Sequence, residues 1–253
     1  MLDNKVVVVT GAASGVGRAV AIAAARHGAK AVVVADLVSS PREGGAPTID
    51  EVEALGVPAR FHATDVTSRA SVDDLVESTV DLGGLDVMVC NAGIALGADD
   101  ADVSEVDYRR LMAVNVDGVL FSAQAAARQL RALGKPGSIV LMGSMGGLVG
   151  AGMTVAYSTS KGGVVLMAKA LADALGPDGI RVNAVCPGLV DTRMLRTTPG
   201  VSAATEAFRQ RTPLRRLADP AEIGDVVAWL GSDLAGYVTG VALPVDGGLT
   251  AVI

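Results

Sequence analysis

Histidine and cysteine number two each, and aromatic residues make up 3% of the chain. His27 and His62 stand apart from each other and from Cys90 and Cys186, so no metal-ligand spacing is present and no metal is expected. Each cysteine ends an apolar run, the usual place of a small buried thiol, and a disulfide is not expected. An excess of basic charge is missing too. With 21 Lys+Arg against 27 Asp+Glu the formal charge is −6, the wrong sign for neutralising a phosphate backbone, which excludes nucleic acid as a partner. Long hydrophobic runs are also lacking. The stretch 6–9 is far short of a signal segment, and nowhere do about 18 uninterrupted apolar residues occur, so no membrane association is expected and the protein is read as soluble and cytoplasmic.

What is present is hydrophobic residues at 50%, charged residues at 19% and 31 glycines in 253 positions. That excludes disorder as the main state and provides for one sizeable core. Short apolar, β-branched runs recur at 6–9, 31–35, 59–63, 87–90, 139–142, 182–186 and 241–245. Helically spaced stretches lie between them at 15–27, 71–81, 108–133, 156–175 and 220–230. Alternation of this kind predicts a parallel sheet covered on both faces, because a strand buried on both sides reads as a continuous apolar run. The Pro/Gly-rich stretch 39–47 reads as a surface loop between a strand and the next helix.

The first run ends in Thr10-Gly11-Ala12-Ala13-Ser14-Gly15-Val16-Gly17-Arg18, and a helix rich in small residues follows. Glycines here let the backbone turn sharply and approach a pyrophosphate, which the free N–H groups and positive end of the helix attract. Asp36 closes the second run, where a carboxylate accepts hydrogen bonds from the adenosine ribose and repels a 2′-phosphate. Neither Val16 nor Leu37 offers a cation to that phosphate. NAD is therefore favoured over NADP. The bland reading of Asp36, a turn residue after a strand, stands beside this one.

With these residues in place the chain resembles the short-chain dehydrogenase/reductase family over its whole length. The resemblance is carried by the Thr-Gly-x-x-x-Gly-x-Gly turn, Asp65-Val66, Asn91-Ala92-Gly93, Asn115, Ser144, Tyr157-Ser158-Thr159-Ser160-Lys161, Pro187-Gly188 with Thr192, and Asp246-Gly247-Gly248. It implies a single doubly wound (Rossmann) domain over 1–253, with a seven-stranded parallel sheet ordered 3-2-1-4-5-6-7 and helices on both faces. It also implies a cofactor lying along Gly11, Ser14, Gly15, Val16, Gly17, Asp36, Leu37, Asp65, Val66, Asn91, Ala92, Gly93, Tyr157, Lys161, Pro187, Gly188, Val190 and Thr192. In that arrangement Asp65 meets the adenine amino group, Val66 packs on its ring and Thr192 bonds the carboxamide. Asn91 has a second reading, that it locks neighbouring strands.

The chemistry of the catalytic candidates stands on its own. Tyr157 and Lys161 are four apart on a predicted helix and share a face. A free phenol is a poor base at neutral pH, and a fixed ammonium beside it is expected to favour the phenolate and lower its pKa. Ser144 is expected at the carboxyl edge of the sheet, where its hydroxyl can hold the substrate oxygen. Asn115, as the resemblance implies, connects the lysine to solvent. Local readings exist for each: a surface pair, a turn serine, a helical asparagine bonded locally.

Segment 189–213 reads as a mobile lid, and Ile94, Ala95, Ser144, Met145, Gly146, Met153, Leu189, Met194 and Leu195 as pocket walls. These walls are mostly apolar, which suits an uncharged secondary alcohol or ketone, cyclic ones included. Arg193 and Arg196 are candidate anion contacts, with solvated lid charges as the alternative. The runner-up function is reduction of 3-oxoacyl groups on an acyl carrier protein or CoA, disfavoured by Asp36 and by Asp173 after the catalytic tyrosine, though Arg128 and Arg131 weaken the second point. A non-catalytic dinucleotide sensor is the reading from another class. Stretches 116–127 and 162–168 hold Asp117 as their one charged residue, which predicts a buried outer side and a homotetramer or homodimer.

Overall fold

Uncharged runs of valine and alanine are stable as strands where helices cover both faces, and that cover is what the chain builds. The computed structural model describes residues 1–96 and 100–252. In chain order its main elements are β1 (Val6–Thr10), α1 (Gly15–Arg26), β2 (Ala31–Asp36), α2 (Thr48–Ala54), β3 (Ala59–Ala63), α3 (Arg69–Glu77) and β4 (Val87–Cys90). There follow α4 (Glu105–Met112), α5 (Gly118–Ala132), β5 (Gly137–Met142), α6 (Val155–Leu175), β6 (Ile180–Pro187), α7 (Arg193–Thr197), α8 (Pro199–Arg211), α9 (Pro220–Gly231) and β7 (Ala242–Val245). The strands make one sheet in the order β3-β2-β1-β4-β5-β6-β7. Every neighbouring pair is parallel, as expected from the alternation. β1 lies between β2 and β4, so the chain changes direction across the sheet there and leaves a crevice beyond the carboxyl ends of those strands.

The two-residue period of the strands divides the core. Val8, Val33, Met88, Ile139 and Val182 pack with α3, α5 and α6 on one face. Val7, Val32, Val89, Val140 and Val185 pack with α1, α2 and α9 on the other. Small residues set how closely these layers approach: a Cβ at Gly224 of α9 would lie 2.7 Å from the Ala19 carbonyl oxygen of α1. The glycine- and alanine-rich, aromatic-poor composition is thus used to bring backbones together. Helix α9 also shows how local chemistry starts an element. Asp219 and Glu222 form a reciprocal capping box around Pro220 at the first turn.

Three departures from the expected elements have physical causes. The stretch 108–133 is helical from Glu105 onward but carries a π turn at Ala113–Asp117, a widening that a 3.6-residue periodicity does not announce. The helix expected over 71–81 ends at Glu77, where the Ser78 and Thr79 hydroxyls bond back to the Leu75 and Val76 carbonyls, both at 2.7 Å. Helices α7 and α8 were not anticipated, and α2, the helix expected after the 39–47 loop, had no bounds because at seven residues its two turns are too few to show a period. Helix α7 starts on Thr192, whose hydroxyl accepts from Leu195 N–H at 3.4 Å. Among the described residues no helix is long and apolar enough to cross a membrane.

Candidate active site

The turn after β1 depends on glycine at two backbone positions and one contact. Gly11 and Gly15 adopt φ of +65° and +55°, which side chains with a Cβ resist. A Cβ on Gly17 would sit 2.1 Å from the Gly11 carbonyl oxygen, so the first turn of α1 can lie directly on the loop only without one. This is a cradle with no room for side chains at the amino end of a helix, which fits a pyrophosphate. Asp36 lies at the end of β2 with its carboxylate accepting from Ala13 N–H at 3.0 Å and Leu37 N–H at 2.8 Å. The acid is thereby fixed beside the turn, with Leu37 exposed next to it.

Asn91 takes the strand-locking role. Its amide donates to the carbonyls of Thr10 at 2.9 Å and Gly11 at 3.2 Å, and its own N–H donates to the Thr10 hydroxyl at 3.0 Å. It joins the ends of β1 and β4 and so shapes the crevice through the backbone of Ala92 and Gly93. Asp65 accepts from the N–H and hydroxyl of Thr67, at 2.9 and 2.7 Å. Val66 is buried against Gly118, where a Cβ would come within 2.7 Å of it.

At the carboxyl end of β5, Ser144 stands just past the strand with extended backbone, its hydroxyl accepting from Gly146 N–H at 3.1 Å. Helix α6 brings Tyr157 to it, and the two side chains share a hydrogen bond. Lys161, one turn on, is 3% exposed and donates from Nζ to the Met142 carbonyl at 2.8 Å. Burial depresses its pKa to about 8, with the charge of Cys186 acting in the opposite direction.

The expected lowering of the Tyr157 pKa is not what the structure shows. Burial raises the phenol above its ordinary value more strongly than the Ser144 hydrogen bond lowers it. The reason is geometric: Nζ of Lys161 is directed at the Met142 carbonyl and lies 5.8 Å from the centre of the phenol ring.

Asn115 sits buried in the π turn. Its side chain exchanges two hydrogen bonds with the backbone of Ile94, 2.9 Å from N–H and 3.0 Å to C=O, and donates to Ser160 at 3.3 Å. Ser160 in turn donates to the Tyr157 carbonyl at 2.7 Å, a link that sequence reasoning missed. Asn115 and Lys161 converge on Gly93, where a Cβ would lie 3.3 Å from Oδ1 of the first and 3.5 Å from Nζ of the second. Cys186 is a further neighbour not anticipated. Its Sγ would be 2.9 Å from a Cβ on Gly143, and burial pushes its thiol to about 11.

After β6, position 188 requires glycine, since a Cβ would collide with the Asp246 Cα at 2.7 Å. Pro187 ends β6, and Val190 is buried in a bridge to Ala218. Of the proposed pocket walls, Leu189 and Leu195 are buried, Met153 and Met194 are exposed, and Ile94, Ala95, Met145 and Gly146 are partly exposed, Gly146 beside the serine and tyrosine. The candidate anion contacts are taken up elsewhere. Arg196 pairs with Asp191, and Arg193 donates to the Arg42 carbonyl. The loop 37–47 also folds back over the turn, placing Arg42 and Glu43 against Ser14 and Gly15. No local sequence signal marks that return.

A doubly wound sheet with a glycine turn at its switch point and a Ser-Tyr-Lys set at its carboxyl edge defines a class, and the comparisons agree with it. A protein-family model described as enoyl-(acyl carrier protein) reductase matches residues 11–250. L-rhamnose 1-dehydrogenase (NAD(P)(+)) of Azotobacter vinelandii is 37% identical over 250 residues, covering 98% of each chain. Cis-4-hydroxycyclohexanecarboxylate dehydrogenase of Sinomonas cyclohexanicum is 40% identical over 253 residues, again covering 98% of each. A solved structure from Agrobacterium tumefaciens with bound NADP superposes with a TM-score of 0.89 at 33% identity, covering 99% of this chain and 98% of that one. The chain belongs to the short-chain dehydrogenase/reductase family and is an oxidoreductase.

Proposed function

We propose that the protein interconverts an uncharged secondary alcohol, cyclic ones included, and its ketone by hydride transfer with NAD(H). The observation that carries this reading is the convergence of Ser144, Tyr157 and Lys161 at the end of β5, on the same sheet edge as the glycine turn. A bound nicotinamide supplies the hydride acceptor or donor. The chain supplies the rest. Ser144 holds the substrate oxygen through its hydroxyl, and Tyr157 takes the alcohol proton in oxidation or gives it back in reduction. Lys161, whose own proton is held loosely near 8, is the neighbour that lets the pair take up the proton the alcohol gives to Tyr157. Asn115 positions the Ile94 backbone at the pocket wall and Gly93 beside the lysine. Segment 189–213 serves as the lid of this single domain.

Asp36 supports NAD over NADP, because a fixed carboxylate at the ribose repels a further phosphate. Relatives that use either cofactor make this a matter for measurement. The acyl-carrier reading loses its basic docking surface, since Arg128 and Arg131 are paired with Asp73 and Asp178. A homotetramer or dimer is supported by α5 and α6, where Leu166 is 67% exposed on a helix with little charge. The test is initial-rate absorbance of the reduced nicotinamide with NAD and, separately, NADP, over secondary and cyclic alcohols and a 3-hydroxyacyl thioester. Turnover of alcohols with NAD is expected. Preference for NADP with the thioester would replace this reading by the acyl reductase, and silence with tight NADH binding would favour the sensor.

A further inference from the structure

The amino end of α1 already holds an anion. Gly15 N–H, which has no acceptor within its helix, donates to Oε1 of Glu43 at 2.8 Å. The hydroxyl of Ser14, in the position from which a helix is ordinarily capped, makes no cap and instead accepts from Arg42 N–H at 2.8 Å. The carboxylate therefore comes from 28 residues away in sequence and sits where the turn would attract a pyrophosphate.

Other ties hold the loop in this place. Arg18 of α1 donates to the Ala46 carbonyl at 2.6 Å and pairs with Glu51 of α2. Arg193, from the segment read above as the lid, donates to the Arg42 carbonyl. A cleft of about 300 Å³ runs between these parts, lined by Gly15, Glu43, Thr192 and Arg193 among others. The tip has the means to move. Gly44 and Gly45 have φ of +84° and +91°, and no atom lies within 4 Å of where their Cβ atoms would be.

We propose that Glu43 is an internal competitor for the cofactor's pyrophosphate, so that the dinucleotide binds by displacing this carboxylate and freeing loop 37–47 from the turn and from Arg193. Two anions cannot share one N–H group, and the like charges would repel at contact distance. The inference rests on the cofactor reading above and adds to it a residue that limits affinity. Because the hydrogen bond from Arg193 crosses from lid to loop, displacement of Glu43 also releases the lid on the other side of the crevice.

The test is dissociation constants for NADH, ADP and adenosine, by fluorescence and calorimetry, on the wild-type chain and on Glu43→Gln, with Glu43→Ala as a second variant. Glu43 is exposed, so neither change disturbs the core. The expected result is NADH and ADP binding tighter by about three- to tenfold in both variants, with adenosine, which lacks the pyrophosphate, unchanged. Unchanged or weaker NADH and ADP binding would overturn the proposal. An equal gain for adenosine would overturn it as well, because the loop would then obstruct the ribose rather than compete for the phosphates. Failure of NADH to bind any of the three proteins would remove the cofactor reading and this inference with it.

Discussion

Charge is handled in opposite ways at the floor of the crevice and at its rim. On the floor, Lys161 is almost wholly removed from water, is held by one carbonyl, and has its pKa lowered to about 8 for that reason. At the rim, Arg18, Arg193 and Arg196 reach carboxylates or carbonyls within contact distance, and Arg196 and its partner Asp191 are half exposed. Desolvation makes the floor electrostatically costly and chemically useful. Solvent makes an exposed rim contact such as Arg196–Asp191 cheap and exchangeable. In the proposed reaction the proton moves where charge is hard to hold, and the loop proposed to open does so where charge is more easily re-solvated.

The strongest test of that contrast is Tyr157→Phe. Removing the hydroxyl is expected to lower kcat by about 10³-fold. NADH affinity measured by fluorescence should stay within about threefold, since the cradle is built by other residues. Equal loss of binding and turnover would break the division between floor and rim.

Next in size is Gly17→Ala, which forces a Cβ to 2.1 Å from the Gly11 carbonyl oxygen. A loss of about 3 kcal/mol in denaturant unfolding and a loss of NADH binding are expected, because the first turn of α1 has to lift off the loop. Ordinary stability in this variant would show that the turn is looser than its contacts.

A third prediction concerns pH. The first proton to leave the buried Tyr157–Lys161 pair does so near the depressed lysine value of about 8, so alcohol oxidation should rise through that pH and fall about tenfold per unit below it. Ketone reduction, which needs the proton present, should show the reverse. Stability follows with a definite sign. The folded chain loses the lysine proton near 8 while the unfolded chain keeps it towards the ordinary value of 10.5, so folding gains as pH climbs through that window. Lys161→Met should abolish that gain in melts across the same range.

The smallest effect belongs to the rim. Arg196→Ala breaks an exposed pair with Asp191 and should cost no more than about 0.5 kcal/mol in denaturant melts. A cost several times larger would mean that the rim is as tightly built as the floor.

The architecture was readable in the sequence because its causes are local or periodic. Runs such as Val6-Val7-Val8-Val9 can be stable only between two helical layers, and seven of them with the resemblance predicted the sheet and its order. The glycines of the first turn, Asp36 at the end of β2, and Tyr157 and Lys161 one helical turn apart are likewise short-range patterns, and the fold brings them to one edge. Two other features were not legible. The π turn that seats Asn115 against Ile94 is a backbone adjustment with no periodic signature. The elevated Tyr157 pKa reverses the expected direction because how fully the pair is buried, and which carbonyl receives the lysine, depend on packing against β5.

Sequence alone therefore determined the layers, the strand positions and the identity of the residues at the sheet edge, since hydrophobic periodicity and glycine geometry act over a few neighbours. Tertiary structure alone decided where Lys161 sends its charge and how far Tyr157 is desolvated. It also decided that Glu43, on a surface loop, comes back to occupy the end of α1. Those outcomes depend on groups far apart in the chain, whose distances no local pattern encodes.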